Sequence, residues 1–379
     1  MNVGQIRYEM GRADAGNEFL NTLQERRMES KMEQILKEDA ITIAKTAIDW
    51  RKFHGRTILV AGANGYVPQH FVHGFLMRNT LFDEKMHVVA LCRNEKKARE
   101  RFGEYIGRED FTLLIGDVLQ EIEIQRKVDF IIDAASPAGV KMSNEDPVAT
   151  FEANVLGCSN LLKLAEKHAA EFLYLSSVDV YGRSVQERFT EGESGILDPL
   201  DVRNVYAAAK RAAESLCICY MQKGMICKIV RPSQIMGCGI ALDDGRLHID
   251  FISQILQNEK IILRGDGTPV RTFIYMTDAI AGMLYVMTAG KNGEAYNICT
   301  ESGEASVLEA AQLMAKQVKG KAVKVEFAQE TQKKDLAVKH ALSRVCADSQ
   351  KLRGLGWTEK VSIEDACRRM MAYYGIEIV

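Results

Sequence analysis

The chain has 379 residues, of which 47% are hydrophobic, and 49 basic against 51 acidic residues give a formal charge of -2. This length is enough for a large hydrophobic core or for two lobes that share an interface, so stability requires neither disulfides nor metals. The balanced charge gives no reason to expect binding to nucleic acid or to an anionic membrane, and a small-molecule substrate is the better expectation.

The cysteines and the chain ends indicate the compartment. Nine cysteines are scattered along the chain without the spacing of a zinc site or of a disulfide framework. The N-terminus has no apolar signal segment, and no apolar run is long enough to span a bilayer. We therefore expect a cytoplasmic protein with no bound metal.

Residues 1–54 precede the first predicted strand and carry apolar residues at helical intervals among charges. The pattern predicts a helical extension whose apolar face packs on the main domain or on another subunit. A docking surface for a partner protein is the alternative.

The stretch from Thr57 to His70 predicts a buried strand, a glycine turn and the start of a helix. Glycines at 62 and 65 allow the backbone to turn tightly beside a pyrophosphate, whose charge the free amides of the helix N-terminus bind. Dinucleotide-binding loops usually carry a third small residue three positions after the second glycine, so that helix and strand pack closely, and this chain has Pro68 there. Proline is tolerated in the first turn of a helix, so the backbone path can survive although close packing is in doubt. The loop residues predicted to bind a dinucleotide are Gly62, Asn64, Gly65, Tyr66 and Val67. On its own the loop is equally compatible with a structural turn, so the motifs around it must decide whether it binds a nucleotide.

A second strand, His87 to Cys92, is followed by Arg93. An acid near this point hydrogen-bonds the ribose 2′-hydroxyl of NAD, whereas an arginine neutralises the 2′-phosphate of NADP. Arg93 therefore favours NADP. A solvated arginine in a protein that uses NAD is the alternative.

Further strands are predicted at Phe111 to Ile115 and Val128 to Asp133, and a helix at Asp146 to His168. Alternating strands and helices predict an α/β doubly wound parallel sheet of the Rossmann type, in which ligands lie outside the carboxyl ends of the strands. The strand-end residues predicted to line the cofactor cleft are Asp117, Val118, Ala134, Ala135 and Ser136.

The fifth predicted strand, Glu171 to Leu175, leads to Ser177 and Asp179, and an alanine-rich helix further on opens with Tyr206 and Lys210. Residues four apart lie on one face of a helix. A tyrosine and a lysine at this spacing are common by chance. Their order after a glycine loop and a serine-bearing strand end gives them meaning.

Beyond residue 224 the pattern becomes less regular, with a strand at Cys227 to Arg231 and helices from about Ile249 and from Ala279. Glycine- and arginine-rich loops between them suggest a lid over an anionic ligand. The sequence thus predicts a helical extension (1–54), a Rossmann domain (55–235) and a smaller substrate-binding lobe (236–379) that is partly interleaved with it.

The order of these motifs is similar to that of the extended short-chain dehydrogenases/reductases, the NAD(P)-dependent epimerases and dehydratases of nucleotide sugars. The resemblance covers about residues 55–378. Its motifs are AASPA at 134–138, SSVDVYG at 176–182, RPSQIMG at 231–237 and GDGTPVRTFIYMTD at 265–278. Within the group the chain most resembles the UDP-glucuronate decarboxylases and their dTDP-glucose 4,6-dehydratase-like relatives, through DAASPAG at 133–139 and DDGR at 243–246.

This resemblance implies a catalytic set of Tyr206, Lys210, Ser177 and Asp179. Tyr206 would take the proton of the sugar C4 hydroxyl, Ser177 would bind the same oxygen, and Asp179 would move a proton near C5. An ammonium favours a phenolate, so we expect Lys210 to lower the pKa of Tyr206.

The resemblance also implies ligand contacts outside the catalytic set. Cofactor contacts are implied for Lys210 and Arg231, and substrate contacts for Ser177, Arg203, Gln234, Arg246 and Arg271.

The predicted function is NAD(P)-dependent modification of a nucleotide sugar through a 4-keto intermediate, most like UDP-glucuronate decarboxylation. Val178 stands where dehydratases carry an acid for the leaving C6 hydroxyl, which counts against 4,6-dehydration. The alternatives are a 4-epimerase or 4,6-dehydratase of a neutral nucleotide hexose, and a non-catalytic NADP-binding regulatory protein. By resemblance, a homodimer is expected to form through helices at 146–168 and 204–222.

Overall fold

The computed structural model describes residues 15–137, 145–182, 188–328 and 344–379. The first 14 residues of the predicted extension and the last residue of the AASPA motif lie outside these ranges. The strands are β1 (Thr57–Ala61), β2 (His87–Cys92), β3 (Phe111–Ile115), β4 (Phe130–Asp133), β5 (Glu171–Leu175), β6 (Cys227–Pro232), β7 (Gln234–Met236), β8 (Lys260–Leu263), β9 (Val270–Tyr275), β10 (Ala295–Ile298), β11 (Glu304–Ser306), β12 (Lys324–Phe327) and β13 (Arg344–Val345). The helices are α1 (Ala15–Ala44), α2 (Pro68–Phe82), α3 (Glu95–Phe102), α4 (Pro147–His168), α5 (Val205–Gln222), α6 (Leu247–Asn258), α7 (Met276–Ala289), α8 (Val307–Gln317), α9 (Gln350–Arg353) and α10 (Ile363–Tyr373).

The large sheet has seven strands in the order β10-β6-β5-β4-β1-β2-β3. Every neighbouring pair in it is parallel. Because helices cover both faces, successive residues of β1 enter opposite cores: Ile58 and Val60 pack in one, Leu59 and Ala61 in the other. The order and the parallel pairing confirm the predicted doubly wound Rossmann fold.

Several element bounds differ from the sequence predictions by a few residues. Strand β4 begins at Phe130 rather than at Val128, and α7 begins at Met276 rather than at Ala279. Helix α4 begins one residue later than predicted, because the Asp146 carboxylate accepts the Ala149 N–H (2.9 Å) and so caps the helix from outside.

A smaller lobe forms around β9. This strand pairs in parallel with β7 and β13 and antiparallel with β11, while β8 and β12 form a separate parallel pair. Strand β10 and helix α7 then return to the large sheet and its core, so residues after 235 contribute to both lobes.

Helix α1 is the body of the predicted N-terminal extension. It packs on α2, α7 and α10, and the side chain of Ile43 fills the space that a Cβ atom on Gly74 would need. The prediction that its apolar face packs on the main domain is therefore confirmed. In the ranges given above, none of the helices is both long and apolar enough to cross a membrane.

A buried carboxylate fixes this helix to the smaller lobe. Asp39 of α1 accepts hydrogen bonds from Tyr275 Oη (2.8 Å) and from Arg369 Nη2 (2.8 Å). Tyr275 ends β9 and Arg369 belongs to α10. Since α1 also packs along α2, it connects the helix that follows the glycine loop to the strand that carries Arg271.

Candidate active site

The glycine loop has the geometry that a dinucleotide requires. Gly62 has φ of +69°, and a Cβ atom there would lie 2.8 Å from the Cα of Ala135. Helix α2 begins at Pro68 with no side-chain cap, and the amides of Gln69 and His70 donate to the carbonyls of Gly65 (3.3 Å) and Val67 (3.1 Å). The buried Oδ1 of Asn64 has no hydrogen-bond partner among the described residues. These features fit the pyrophosphate of a dinucleotide, and they confirm that Pro68 leaves the loop-to-helix path intact.

The other predicted cofactor residues lie at the carboxyl edge of the large sheet. Ala134 and Ala135 follow β4, and Asn154 Nδ2 donates to Ser136 Oγ (3.0 Å). Asp117 follows β3 and accepts the Leu119 N–H (3.0 Å). Val118 is buried between this edge and Gly157 of α4.

Arg93 follows β2 and is largely exposed. Its Nη1 lies 3.8 Å from Asp117 Oδ2, which makes a loose surface ion pair. The guanidinium is therefore near the rim of the predicted cofactor cleft, where it can reorient toward a ligand.

The predicted catalytic residues come together where β5 ends beside the first turns of α5. Ser177 Oγ donates to Asp179 Oδ2 (3.0 Å), and the Ser177 side chain lies close enough to Tyr206 to lower the pKa of its phenol. Lys210 lies one turn after Tyr206, with Nζ 5.8 Å from the centroid of the Tyr206 ring. A strand end and a helix start thus place a hydroxyl, a phenol, a carboxylate and an ammonium in one cluster.

Lys210 is almost fully buried. Its Nζ donates to the Leu175 carbonyl (2.6 Å) and lies 4.8 Å from the centroid of the Tyr174 ring. Burial lowers the pKa of Lys210 to about 8, and the charge of Asp133 opposes this shift. The protein around Lys210 therefore disfavours the charged form of the amine.

The positive charge of Lys210 is not enough to make Tyr206 a phenolate in the free protein, because the pKa of Tyr206 is raised. Burial is the main cause that raises this pKa, and the nearby charge of Asp179 raises it further. The Ser177 side chain and the charge of Arg246 act in the opposite direction. The phenol is therefore protonated in the free protein, and its activation depends on what enters the cleft.

Two arginines of the smaller lobe face this cluster. The charge of Arg271 on β9 lowers the pKa of Asp179, whereas burial, the larger effect, raises it. The Asp179 side chain is exposed to solvent although many protein atoms lie around it. Arg246 is 2.9 Å from Asp244 Oδ1 and 5.0 Å from the centroid of the Tyr66 ring. Both cations lie where the two lobes meet, as an anionic substrate would require.

The structure places three other predicted residues away from the cluster or in other contacts. Arg231 forms a bidentate pair with Glu214 (2.9 and 2.7 Å), which favours a structural role over the predicted cofactor contact. Arg203 is exposed and pairs with Asp201 (2.6 Å). Gln234 begins β7 opposite Phe273, at the junction of the lobes. Their ligand contacts stay predictions.

Sequence reasoning gave no role to Asp133, which lies beneath the cluster. This aspartate is 3% exposed and ends a strand of otherwise apolar residues, Phe130–Asp133. A charged residue at the end of a buried strand was the available signal.

The loop geometry predicts the effect of Gly62→Ala. The new methyl group would collide with Ala135, so the loop must shift, and we expect NAD binding to weaken by about tenfold or more, or about 1.4 kcal/mol. Gly55→Ala is the matched control: Gly55 has a similar φ of +66° but nothing within 4 Å of its Cβ position. Both variants carry a backbone strain of about 1 kcal/mol. Calorimetric titration with NAD distinguishes them, and equal affinities would contradict the assigned loop.

Comparison with known proteins agrees with this arrangement. Residues 58–299 match the model of the NAD dependent epimerase/dehydratase family. The chain is 29% identical to UDP-glucuronic acid decarboxylase 1 of Danio rerio over 85% of its length and 73% of that protein's. It is 30% identical to UDP-glucuronic acid decarboxylase 6 of Arabidopsis thaliana over 81% of its length and 85% of that protein's.

Solved structures show the same fold. UDP-glucuronic acid 4-epimerase of Bacillus cereus, in complex with UDP-glucuronic acid and NAD, superposes with a TM-score of 0.71 at 23% identity, covering 84% of this chain and 99% of that one. dTDP-glucose 4,6-dehydratase of Bacillus anthracis, in complex with NAD, gives a TM-score of 0.66 at 20% identity, covering 84% and 96%. With the glycine loop and the strand-end cluster described above, the match of residues 58–299 to the family model shows that the chain belongs to the NAD dependent epimerase/dehydratase family.

Proposed function

We propose that this nucleotide-sugar modifying enzyme decarboxylates UDP-glucuronate. The observation that supports this most is the cluster of Ser177, Asp179 and Tyr206 facing Arg246 and Arg271 across the junction of the lobes. The cations suit a substrate with a diphosphate and a sugar carboxylate. Similarity to UDP-glucuronic acid decarboxylases over most of the chain points to the same substrate.

The first task of the site is to release the C4 hydrogen of the sugar. Once the Tyr206 phenol has given its own proton to solvent, the phenolate accepts the proton of the C4 hydroxyl, and Ser177 holds the same oxygen by a hydrogen bond. When bound, NAD or NADP supplies the hydride acceptor. Lys210, one turn from Tyr206, provides the positive charge that favours the phenolate once the cleft is filled.

The 4-keto sugar formed in this way is a β-keto acid. Its C5–C6 bond breaks, carbon dioxide leaves, and the electron pair moves into an enolate across C4 and C5. Asp179 then delivers a proton to C5. Burial raises the pKa of Asp179, which suits a carboxyl group that must carry a proton. Tyr206 returns its proton to the C4 oxygen when the ketone is reduced again.

The alternative reactions differ in what they need from the residues beside Asp179. Dehydration requires an acid for the C6 hydroxyl, and the apolar Val178 occupies the position next to Asp179. Epimerisation of a neutral hexose leaves no carboxylate for the second arginine. A regulatory protein that binds cofactor without turnover would not require the retained Ser177, Tyr206 and Lys210.

We expect purified protein with NAD or NADP to convert UDP-glucuronate to a product that is lighter by one carbon dioxide, as mass spectrometry detects. Tyr206→Phe removes the base and should lower the rate by about a hundredfold or more while the fold persists. Tyr220→Phe, on the same helix but outside the cluster, is the control and should retain the wild-type rate.

Two outcomes contradict these assignments. A Tyr206→Phe variant with the wild-type rate would remove the proposed base. An unchanged mass of UDP-glucuronate, with turnover of a neutral nucleotide hexose, would move the assignment to epimerisation or dehydration.

We further propose that the enzyme prefers NADP to NAD. The support is Arg93, whose exposed guanidinium follows β2 and pairs loosely with Asp117. Arg93→Ala should weaken NADP by about tenfold and leave NAD nearly unchanged. Titration with each cofactor measures this, and equal losses for both would reject a 2′-phosphate contact.

We also infer a cytoplasmic homodimer. All nine cysteines are free thiols, as a reducing compartment favours. Helices α4 and α5 pack side by side, and α4 exposes the apolar side chains of Val148, Phe151 and Leu156.

Light scattering tests the pairing of subunits. Phe151→Asp should convert the expected dimer to a monomer, because it places a charge in the proposed interface. Leu81→Asp is the control, since Leu81 is 44% exposed against 42% for Phe151 but lies on α2. A wild-type protein of monomeric mass would reject the interface.

A further inference from the structure

The buried carboxylate of Asp133 has no role in the chemistry proposed above. Its Oδ1 accepts the Ala135 N–H (3.2 Å), and the thiol of Cys158 hydrogen-bonds the same carboxyl group. An aspartate that is 3% exposed carries a large desolvation cost. The two neutral hydrogen bonds offset only part of that cost, so a cation is the expected compensation.

The sheet register brings this carboxylate to Lys210. Asp133 on β4 is paired with Tyr174 on β5, and Lys210 Nζ lies 4.8 Å from the centroid of the Tyr174 ring. The residue after Tyr174, Leu175, provides the carbonyl that accepts from Nζ. The ammonium therefore lies above the end of the strand pair in which Asp133 is buried.

The two groups influence each other in opposite senses. Burial raises the pKa of Asp133 to about 6, and the Lys210 ammonium lowers it. Burial also lowers the pKa of Lys210 to about 8, and Asp133 is the strongest of the charges that raise it.

The other titratable groups that face Lys210 offer less compensation. Cys158 on α4 is a buried thiol whose pKa is raised, so it carries no charge at neutral pH. Glu214 on α5 is committed to Arg231 (2.7 Å) and accepts from Ser176 Oγ (2.5 Å). Cys217 on α5 also faces the ammonium, and the phenols of Tyr174 and Tyr206, whose pKa values are raised, add no negative charge that balances it in the free protein.

We propose that Asp133 is a positioning residue that keeps the Lys210 ammonium charged and directed toward the Tyr206 side of the cleft. The inference deepens the proposed function and rests on it, because Lys210 matters through its charge beside Tyr206. Asp133 touches neither the sugar nor the reacting hydrogen. It acts from beneath the sheet edge, through Lys210.

The sign of the effect follows from the charges. Burial already lowers the pKa of this lysine, and replacing the facing carboxylate by a neutral amide removes a negative charge that stabilises the ammonium. Its pKa then falls, and Lys210 loses its proton at a lower pH. The alkaline limb of the kcat/KM profile should move in the same direction.

The test compares Asp133→Asn with Asp129→Asn. Asp129 lies just before the same strand and accepts the Thr57 N–H (3.0 Å), much as Asp133 accepts the Ala135 N–H. An asparagine can accept in either place, so both variants lose a charge and keep a backbone contact. The readouts are the pH profile with UDP-glucuronate and the NMR titration of the Lys210 Cε signal in ¹³C-lysine-labelled protein.

We expect Asp133→Asn to move both the Lys210 midpoint and the alkaline limb to lower pH by about one unit. Asp129→Asn should leave both at the wild-type values. Asp133→Glu, which keeps the charge, should lie closer to wild type than Asp133→Asn. A Lys210 midpoint unchanged by Asp133→Asn would overturn the inference.

The outcomes separate this inference from the proposed function. If wild type turns over UDP-glucuronate and the Asp133→Asn profile does not move, the inference fails and the function stands. If wild type is inactive, the NMR titration still measures the coupling. If Asp133→Asn does not fold, adding Lys210→Met should restore folding by removing the uncompensated charge, and a double variant as unstable as the single one would contradict the pairing.

Discussion

The burial of one ammonium group organises the active site. Lys210 lies at the carboxyl edge of the large sheet, where the Leu175 carbonyl, the Tyr174 ring and the Asp133 carboxylate compensate its charge. A charge in such a place is expensive unless its partners are fixed. The parallel register of β4 and β5 fixes two of them, and helix α5 fixes the lysine relative to Tyr206. The fold thus determines the electrostatics before any ligand binds.

The second constraint is the junction between the lobes. The catalytic cluster belongs to the Rossmann half, while Arg246 and Arg271 come from segments that follow β7. Helix α1 contacts both halves: it packs along α2, and Asp39 binds Tyr275 at the end of the strand that carries Arg271. The N-terminal extension therefore belongs to the architecture of the cleft, although it precedes the region that matches the family model.

Much of this arrangement could be predicted from the sequence because its signals are local. Apolar runs that end in glycine, serine or aspartate mark the strand ends, and the spacing of Tyr206 and Lys210 puts them on one helix face. Other features depend on distant partners. Asp39 finds its partners 236 and 330 positions along the chain, and no local pattern indicates them.

The sequence patterns also do not predict how deeply the titratable side chains are buried. The sequence places an ammonium near Tyr206, but only the structure shows that desolvation and Asp179 outweigh it and raise the pKa of the phenol. The pairing of Arg231 with Glu214 was likewise not predicted, because the two residues lie 17 positions apart on different elements. The role of Asp133 was missed for the same reason.

The central claim is that the sugar is oxidised and then reduced again at C4 within one site. The most direct measurement uses UDP-glucuronate that carries deuterium on C4, followed by mass spectrometry and NMR of the product. The account predicts a product that has lost its C6 carboxyl group and still carries deuterium at C4, since the hydride removed from C4 is returned to it. A decarboxylated product without deuterium at C4 would contradict it.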